Sequence, residues 1–422
     1  MNKAWVWCAA LAAAALLHPR PASALIEAET DKGALELRAN AQLAAAFLDN
    51  AEPFGVDEQT FMAFRLLGEA FWGEHVGLEL NLTQVWTSTT AAQGVSLGSA
   101  LVGFGGANRS DALSLRWSND PRGAVLLDAD RLFVKLNLYP VDLRLGRQPI
   151  NLATTLLFTP NDVFEPFLAQ TFFREFKPGV DALRVDVQLA QEATLTVYGV
   201  LGYDPKGLAD DDALAAPRLG RSSVVGKATT ALGPHLEVSA LGGRLADRWF
   251  VGGGLQGALW DWLGVRAEGH GAFVDGRQGL TTELALELDH RFDNTVTVTV
   301  GQFYHGAGLK DEGDYLAALV QGRDVGGYLG RHYSALSVGY EISALLSVQT
   351  VGLVNWTDPS ALVSAYFLYS VSDESDLALT GVLPVGRGLE TAQVLGTTVP
   401  TALGSEFGSV PRTLALDFRV YW

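Results

Sequence analysis

The sequence predicts an all-β protein, a transmembrane antiparallel up-and-down β-barrel of about eighteen strands, with about sixteen as the alternative count. Three observations predict it. The chain opens on a secretory leader, period-two alternation recurs along the remainder, and short connections alternate with long ones.

The leader comes first. Lys3 supplies a positive start, residues 4–17 are apolar, and Ala22-Ser23-Ala24 offers a small-x-small cleavage site after Pro19 and Pro21. Fourteen apolar residues fall short of the roughly 20 that a spanning helix needs. Residues 1–24 therefore read as a signal peptide and 25–422 as the barrel. Cys8, the only cysteine, lies inside the leader, so cleavage leaves no disulfide, thiolate metal site or thiol nucleophile. The leader holds Lys3 and Arg20 and no acid, so its loss takes the formal charge from −17 to −19. That acidity excludes nucleic acid as a partner, because phosphate binding needs a basic surface. It suits outer loops that face a cation-rich leaflet of lipopolysaccharide.

Beyond the leader no apolar run reaches eighteen residues, and alternation takes over. Segments 35–47, 61–71, 76–86, 127–138, 142–149, 179–189, 193–203, 222–231 and 235–245 fit strands, as do 250–260, 263–273, 280–292, 295–306, 332–342, 347–357, 361–371, 376–386 and 413–422. Leu132, Val134, Leu136 and Leu138 share one face, opposite Phe133, Lys135 and Asn137. Leu183, Val185, Val187 and Leu189 oppose Arg184, Asp186 and Gln188, and Leu284, Leu286 and Leu288 oppose Ala285 and Glu287. A soluble sandwich alternates too, but it has no reason to keep a parity of connections. Here tight turns at 73–75, 139–141, 190–192, 232–234, 261–262 and 293–294 alternate with long connections at 48–60, 87–126, 150–178, 204–221, 307–331 and 387–412. Short periplasmic turns and long outer loops describe a membrane barrel, and an even strand count puts both ends on the periplasmic side. Trp72, Trp86, Trp249, Trp260, Trp262, Trp356 and Trp422 fall at strand ends, where an indole suits the headgroup layer, and Trp117 falls within a loop.

The final segment, TLALDFRVYW, sets Leu414, Leu416, Phe418, Val420 and Trp422 on one face. It resembles the C-terminal signal that outer-membrane barrels present to their assembly machinery, with tryptophan where phenylalanine is commoner. Residues 142–167, DLRLGRQPINLATTLLFTPNDVFEPF, followed by Lys177-Pro178-Gly179-Val180-Asp181, are similar to a segment of Gram-negative porin-like outer-membrane proteins, in which a strand ending in LGRQ leads into an inserted loop. The similarity implies a channel and covers about a tenth of the chain.

Barrels of 16–18 strands leave an aqueous lumen. With few residues ahead of the first strand, only inward side chains and folded loops can narrow it. The third long connection, 150–178, is the candidate constriction. It carries Asn161, Asp162, Glu165, Arg174, Glu175 and Lys177, together with Phe158, Phe164, Phe167, Phe172, Phe173 and Phe176, which packing against the wall would explain. A surface loop touching lipopolysaccharide or a partner is the competing reading. Arg131, Lys135, Arg144 and Arg184 sit on polar strand faces beside it, with Arg147 off strict alternation, at a bulge or strand end. Glu268, Glu283, Glu287, Asp289 and Glu341 populate polar faces elsewhere. The charges either set a transverse field across water or pair internally.

Enzyme signatures are weak. His290 falls on an apolar face without a Gly-x-Ser-x-Gly elbow, and His305 and His332 flank a loop with no further metal ligands evident. The expectation is a passive channel for small polar or anionic solutes, with no cofactor and no metal; oligomerisation stays open. Its partners would be outer-membrane lipid, lipopolysaccharide and the barrel assembly machinery. A lipid-hydrolysing barrel and a structural or adhesive barrel with partner-binding loops are the alternatives.

Overall fold

The computed structural model describes residues 25–50, 55–90, 107–120, 122–164, 176–203, 216–260, 262–274, 279–321, 327–394 and 397–422. The expected signal peptide therefore lies outside the described residues, as do Glu165 and Arg174. In chain order the strands begin with β1 (Ile26–Thr30), β2 (Gly33–Asp49), β3 (Val56–Trp72), β4 (Val76–Thr89), β5 (Ser114–Asp120), β6 (Gly123–Leu138), β7 (Val141–Gln148) and β8 (Val180–Ala190). There follow β9 (Ala193–Val200), β10 (Ser223–Leu232), β11 (Leu236–Leu245), β12 (Arg248–Leu259), β13 (Leu263–Val274), β14 (Leu280–Arg291) and β15 (Thr297–His305). The last are β16 (His332–Ser343), β17 (Leu346–Asn355), β18 (Ser360–Ser372), β19 (Ser375–Val385), β20 (Leu389–Val394), β21 (Thr397–Leu403) and β22 (Arg412–Tyr421). Among the described residues one short α-helix, α1 (Tyr315–Val320), lies in an outer loop.

Eighteen strands close one antiparallel barrel: β2, β3, β4, β6 to β19, and β22. Each of the eighteen expected segments overlaps one of them. The seam is β22 against β2, from Asn40 opposite Tyr421 to Asp49 opposite Arg412, and Ala39 and Trp422 exchange both backbone bonds at 2.9 and 2.8 Å. Closure matters physically, because an open edge in hydrocarbon leaves every second backbone group without a partner. The remaining strands are additions. β1 pairs with the lower end of β2, β5 pairs with the upper half of β6, and β20 and β21 form an outer hairpin. Trp117 thus lies on β5 rather than in an irregular loop.

Cross-strand partners share a face of the sheet, so register assigns each residue to lipid or lumen. On β14, Leu284, Leu286 and Leu288 are exposed on the outside, while Ala285 and Glu287 between them are buried on the inside. The indoles form two exposed belts. Trp72, Trp260, Trp262 and Trp422 lie at the lower ends of strands, and Trp86, Trp117, Trp249 and Trp356 at the upper ends. No helix among the described residues is long and apolar enough to cross a membrane, and crossing falls to the strands.

Candidate functional site: the lumen and its inserted loop

After β7 the described residues 149–164 do not run over the surface. Ile150 and Leu152 alternate into an apolar cluster with Phe164, Val180, Tyr198, Val225, Leu241 and Phe250, on the inner wall of β8 to β12. The strip then reaches two carboxylates on the far wall. Glu268 of β13 accepts the backbone N–H of Thr154, of Thr155 at 3.0 Å and of Asn161 at 3.0 Å. Glu287 of β14 accepts those of Leu156, Leu157 and Phe158 at 2.8, 2.6 and 3.3 Å. Neither carboxylate makes an ion pair in the described structure. Irregular backbone removed from water needs partners for its donors, and a buried carboxylate needs donors for its lone pairs. Each solves the other's problem.

Small residues make room for the strip. A Cβ on Gly254 would stand 3.2 Å from the Thr154 Cβ, and one on Gly301 would stand 3.3 Å from a Leu157 methyl. Phe158 then stacks on Phe303 of β15, with ring centroids 5.1 Å apart, and meets Tyr328 edge-on at 5.6 Å. Tyr333 and Phe407 complete this cluster, which joins the inserted loop to two outer loops. Asn161 donates to the Gly253 carbonyl at 3.0 Å. Asp162 is closed against Lys177 in a buried ion pair across the loop's neck. Burial pushes the Asp162 carboxyl above its ordinary range, against the opposing pull of Lys177. Phe176 packs under the Arg65 guanidinium, 4.0 Å from its ring centre. Of the loop aromatics read as wall packing, Phe158 and Phe164 are buried there. Phe167, Phe172 and Phe173 lie outside the described residues.

On the opposite side β6, β7 and β8 bring cations into one row. Lys135 is the cross-strand partner of Arg144, Arg144 of Arg184, and Arg184 of Tyr198. Arg131 and Lys135 both reach Glu79 of β4, at 3.0 and 3.1 Å. Arg184 makes a fork with Asp186, at 2.7 and 2.9 Å. Arg144 has no ion-pair partner among the described residues. Phe133 flanks Lys135, its ring centre 5.3 Å from the ammonium, and Tyr198 lies 5.5 Å from the Arg184 guanidinium.

Arg147 departs from this row. Gly146 adopts a φ of 127°, where a side chain would be strained, and past it Arg147 is buried at 1% exposure. It binds Asp181 at 2.8 Å, Asp128 at 3.4 Å and the Ser110 carbonyl at 2.5 Å. The chain continues through Arg109 to Asp130, and Asp130 meets Arg65 at 3.0 Å. Tyr203 closes the other end, donating to Asp181 at 2.9 Å; burial first, then Asp181, pushes its hydroxyl up to about 12. Alternating arginine and aspartate thus staple residues 108–110 to the top of β7 and β8. Arg109, Asp128 and Asp130 carried no signal in the sequence beyond their charge, and Asp181 only its place in the porin-like segment.

The carboxylates expected across the water are otherwise engaged. Glu287 has no exposed surface and Glu268 almost none, since both hold the loop. Glu283 contacts His305 at 3.0 Å, Asp289 pairs with Arg266, and Glu341 pairs with Arg291 at 3.0 Å. An open acidic wall facing the cations is not what forms, because the inserted backbone needed acceptors. His305 points inward and His332 outward, so the two cannot share an ion. His290 packs at the lower rim between Trp262 and Phe292, its Nδ1 2.6 Å from the Trp262 carbonyl.

No protein-family model and no curated protein matches this sequence. Solved structures do resemble it. OccAB4 of Acinetobacter baumannii superposes with a TM-score of 0.57 at 9% identity, covering 93% of this chain and 98% of that one. OccK2 (OpdF) of Pseudomonas aeruginosa, solved in complex with glucuronate, gives 0.54 at 12% identity, covering 92% and 97%. A BenF-like porin from Pseudomonas fluorescens Pf-5 gives 0.54 at 11% identity, covering 92% and 98%. The chain has a porin fold. At such identities the likeness carries the eighteen-strand barrel and not the residues that line it.

Proposed function

We propose that the chain is an outer-membrane channel for passive diffusion of small polar solutes, with anionic groups favoured at its narrow part. The observation that carries this reading is the row Lys135, Arg144 and Arg184, three cations at one level on adjacent strands. Like charges directly opposite on adjacent strands destabilise the pair. Glu79 and Asp186 relieve the two ends, and Arg144 is left for a passing anion. The strip 150–164 covers the facing wall, so the open path runs along the basic side. In this proposal Arg131, Lys135, Arg144 and Arg184 line the path. Asp162 and Lys177 hold the neck of the constriction, Arg147 braces its base, and Glu165 and Arg174 belong to the loop's remaining length. The glucuronate bound in OccK2 supports a carboxylate as the class of solute. Nothing in the path needs a covalent step, a cofactor or a metal.

Planar-bilayer recording tests the reading. Arg144→Glu together with Arg184→Glu should move the reversal potential toward cation preference. A sealed barrel, or unchanged selectivity, sinks it.

The chain would reach the outer membrane behind a signal peptide at 1–24, handed to the assembly machinery through its last strand. Phe418 and Val420 lie on the outer row of β22, where Phe418 faces Leu377 and Leu43. Deleting Trp422 removes the two backbone bonds to Ala39 and should lower the heat-modifiable, folded fraction. Undiminished assembly would remove Phe418, Val420 and Trp422 from that role.

A further inference from the structure

The cations of β6 to β8 are not alone on their wall. Arg131 and Lys135 share Glu79, and Arg184 holds Asp186. Thr196 donates to the same Asp186 at 2.6 Å, so both of these carboxylates are engaged. Among the described charges of β6 to β8, two of opposite sign are left without an ion pair, and both belong to β7. Arg144 is one. Asp142 is the other: it is exposed, it faces Asp186 across the strand pair, and its side chain makes no hydrogen bond among the described residues. The two share the lumenal face, since Leu145 on the alternate face is exposed to lipid. Two residues along a strand span about 7 Å. Asp142 lies on the side of the periplasmic turn that precedes β7. An anion that has reached Arg144 therefore meets a like charge on its way to the periplasm.

We infer that this position admits solutes carrying one negative charge and turns back those carrying two, and that Asp142 sets the limit. The inference rests on the channel reading. Arg131, Lys135, Arg144 and Arg184 supply four positive charges. Glu79, Asp142 and Asp186 supply three negative ones, which leaves one positive charge. A monoanion at Arg144 neutralises it. A dianion leaves the site with a surplus negative charge, and like charges a few ångströms apart repel strongly where little water separates them. The next described charges do not alter the count. The network around Arg147 pairs within itself, Arg65, Arg109 and Arg147 against Asp128, Asp130 and Asp181. Glu69 on β3, opposite Glu79, and Lys227 on β10, opposite Thr196, each stand three strands from Arg144. That is about 14 Å, beyond a Debye length of about 8 Å. They are opposite in sign, and Lys227 is turned to the Leu152 carbonyl at 3.1 Å.

The test is the reversal potential of the full barrel in planar bilayers, under gradients of sodium lactate or sodium malonate at neutral pH. These acids are close in size and carry one and two charges there. The parent should pass lactate in preference to malonate. Asp142→Asn removes one charge and no bond, and should raise the malonate-to-lactate permeability ratio about tenfold. Asp142→Glu should keep the parent ratio. Glu192→Gln, in the turn between β8 and β9, is the control for surface charge at the periplasmic mouth and should change nothing. A parent that passes both acids alike, a ratio unmoved by Asp142→Asn, or an equal shift in Glu192→Gln overturns the inference. Arg144→Gln separates it from the channel reading. If that variant lowers the permeability of both acids while Asp142→Asn moves nothing, the basic path stands and only the charge limit falls. If it lowers neither, the path itself is overturned and the limit with it.

Discussion

The walls β6–β8 and β12–β15 come from the same kind of sequence, strands that alternate apolar and charged residues, and end in opposite states. On β6–β8 the row Arg131, Lys135 and Arg184 stays partly exposed, paired at 2.7–3.1 Å with Glu79 of β4 and Asp186 of β8, and Arg144 stands among them without an ion-pair partner among the described residues. On β13 and β14 Glu268 and Glu287 are buried and hold a second layer of chain. The difference comes from what lies above each wall. Gly254 and Gly301 let backbone approach one side, whereas Lys135, Arg144 and Arg184 project from the other and keep it clear. A charged lumenal residue can therefore serve as a path for solute or as a foundation for the structure that narrows it. Its neighbours' size decides which.

The largest way to break this contrast is to remove the foundation. Glu268→Gln with Glu287→Gln replaces acceptor-only groups with amides that repel some of the six loop N–H donors. A hydrogen bond to a charged group is worth about 1.5–3 kcal/mol, so losing several should free the strip from the wall. Single-channel conductance should rise by about twofold or more, with the barrel still heat-modifiable. Unchanged conductance would mean that residues 150–164 do not limit the pore.

A smaller effect should follow from crowding the same wall. Gly254→Leu places side chain where Thr154 now sits, and overpacking of this kind costs about 1–3 kcal/mol. The strip should lift locally, giving noisier and larger currents than the parent. Gly339→Ala is the control, since a Cβ there meets nothing within 4 Å. Equal behaviour of the two variants would show that close approach at Gly254 does not position the loop.

These contrasts mark what was legible beforehand. Alternation exposed all eighteen barrel strands, because each must show apolar residues to lipid at every second position, as Leu284, Leu286 and Leu288 do. It could not expose β1, β5 or the β20–β21 hairpin, which lie beyond the ring of barrel strands and need no apolar face. Arg131, Lys135, Arg144 and Arg184 were legible as one polar face, since their register follows from strand order. The use of Glu268 and Glu287 was not, because their ligands are backbone N–H groups that any residue supplies. The burial of Arg147 hid for a related reason. Its partners Asp128 and Asp181 stand 19 and 34 residues away, and only the fold of residues 108–110 seals them in.

The smallest effect concerns pH, and it separates the inserted loop from the outer loops. Glu406, in the outer connection after β21, accepts from Tyr333 at 2.5 Å, from Asn355 at 2.7 Å and from the N–H groups of Leu329 and Gly330 at 3.1 and 3.3 Å. Burial pushes its carboxyl above the ordinary range; the donors pull the other way and Asp358 adds to the rise. An acid whose folded pKa is raised contributes stability that is whole below its unfolded value and fades as pH rises through the folded one. Leu329 and Gly330 should therefore exchange their amide hydrogens more slowly at pH 4 than at pH 7, once intrinsic rates are corrected. Glu406→Gln should flatten that dependence. Asp162 is raised by burial as well, but protonating it gives up the Lys177 pair at the loop neck, so the neck should tighten less on acidification than the Glu406 cluster. Faster exchange at Leu329 and Gly330 in acid would show that the cluster is held by the ionised carboxylate, and the sign assigned to burial at Glu406 would be wrong.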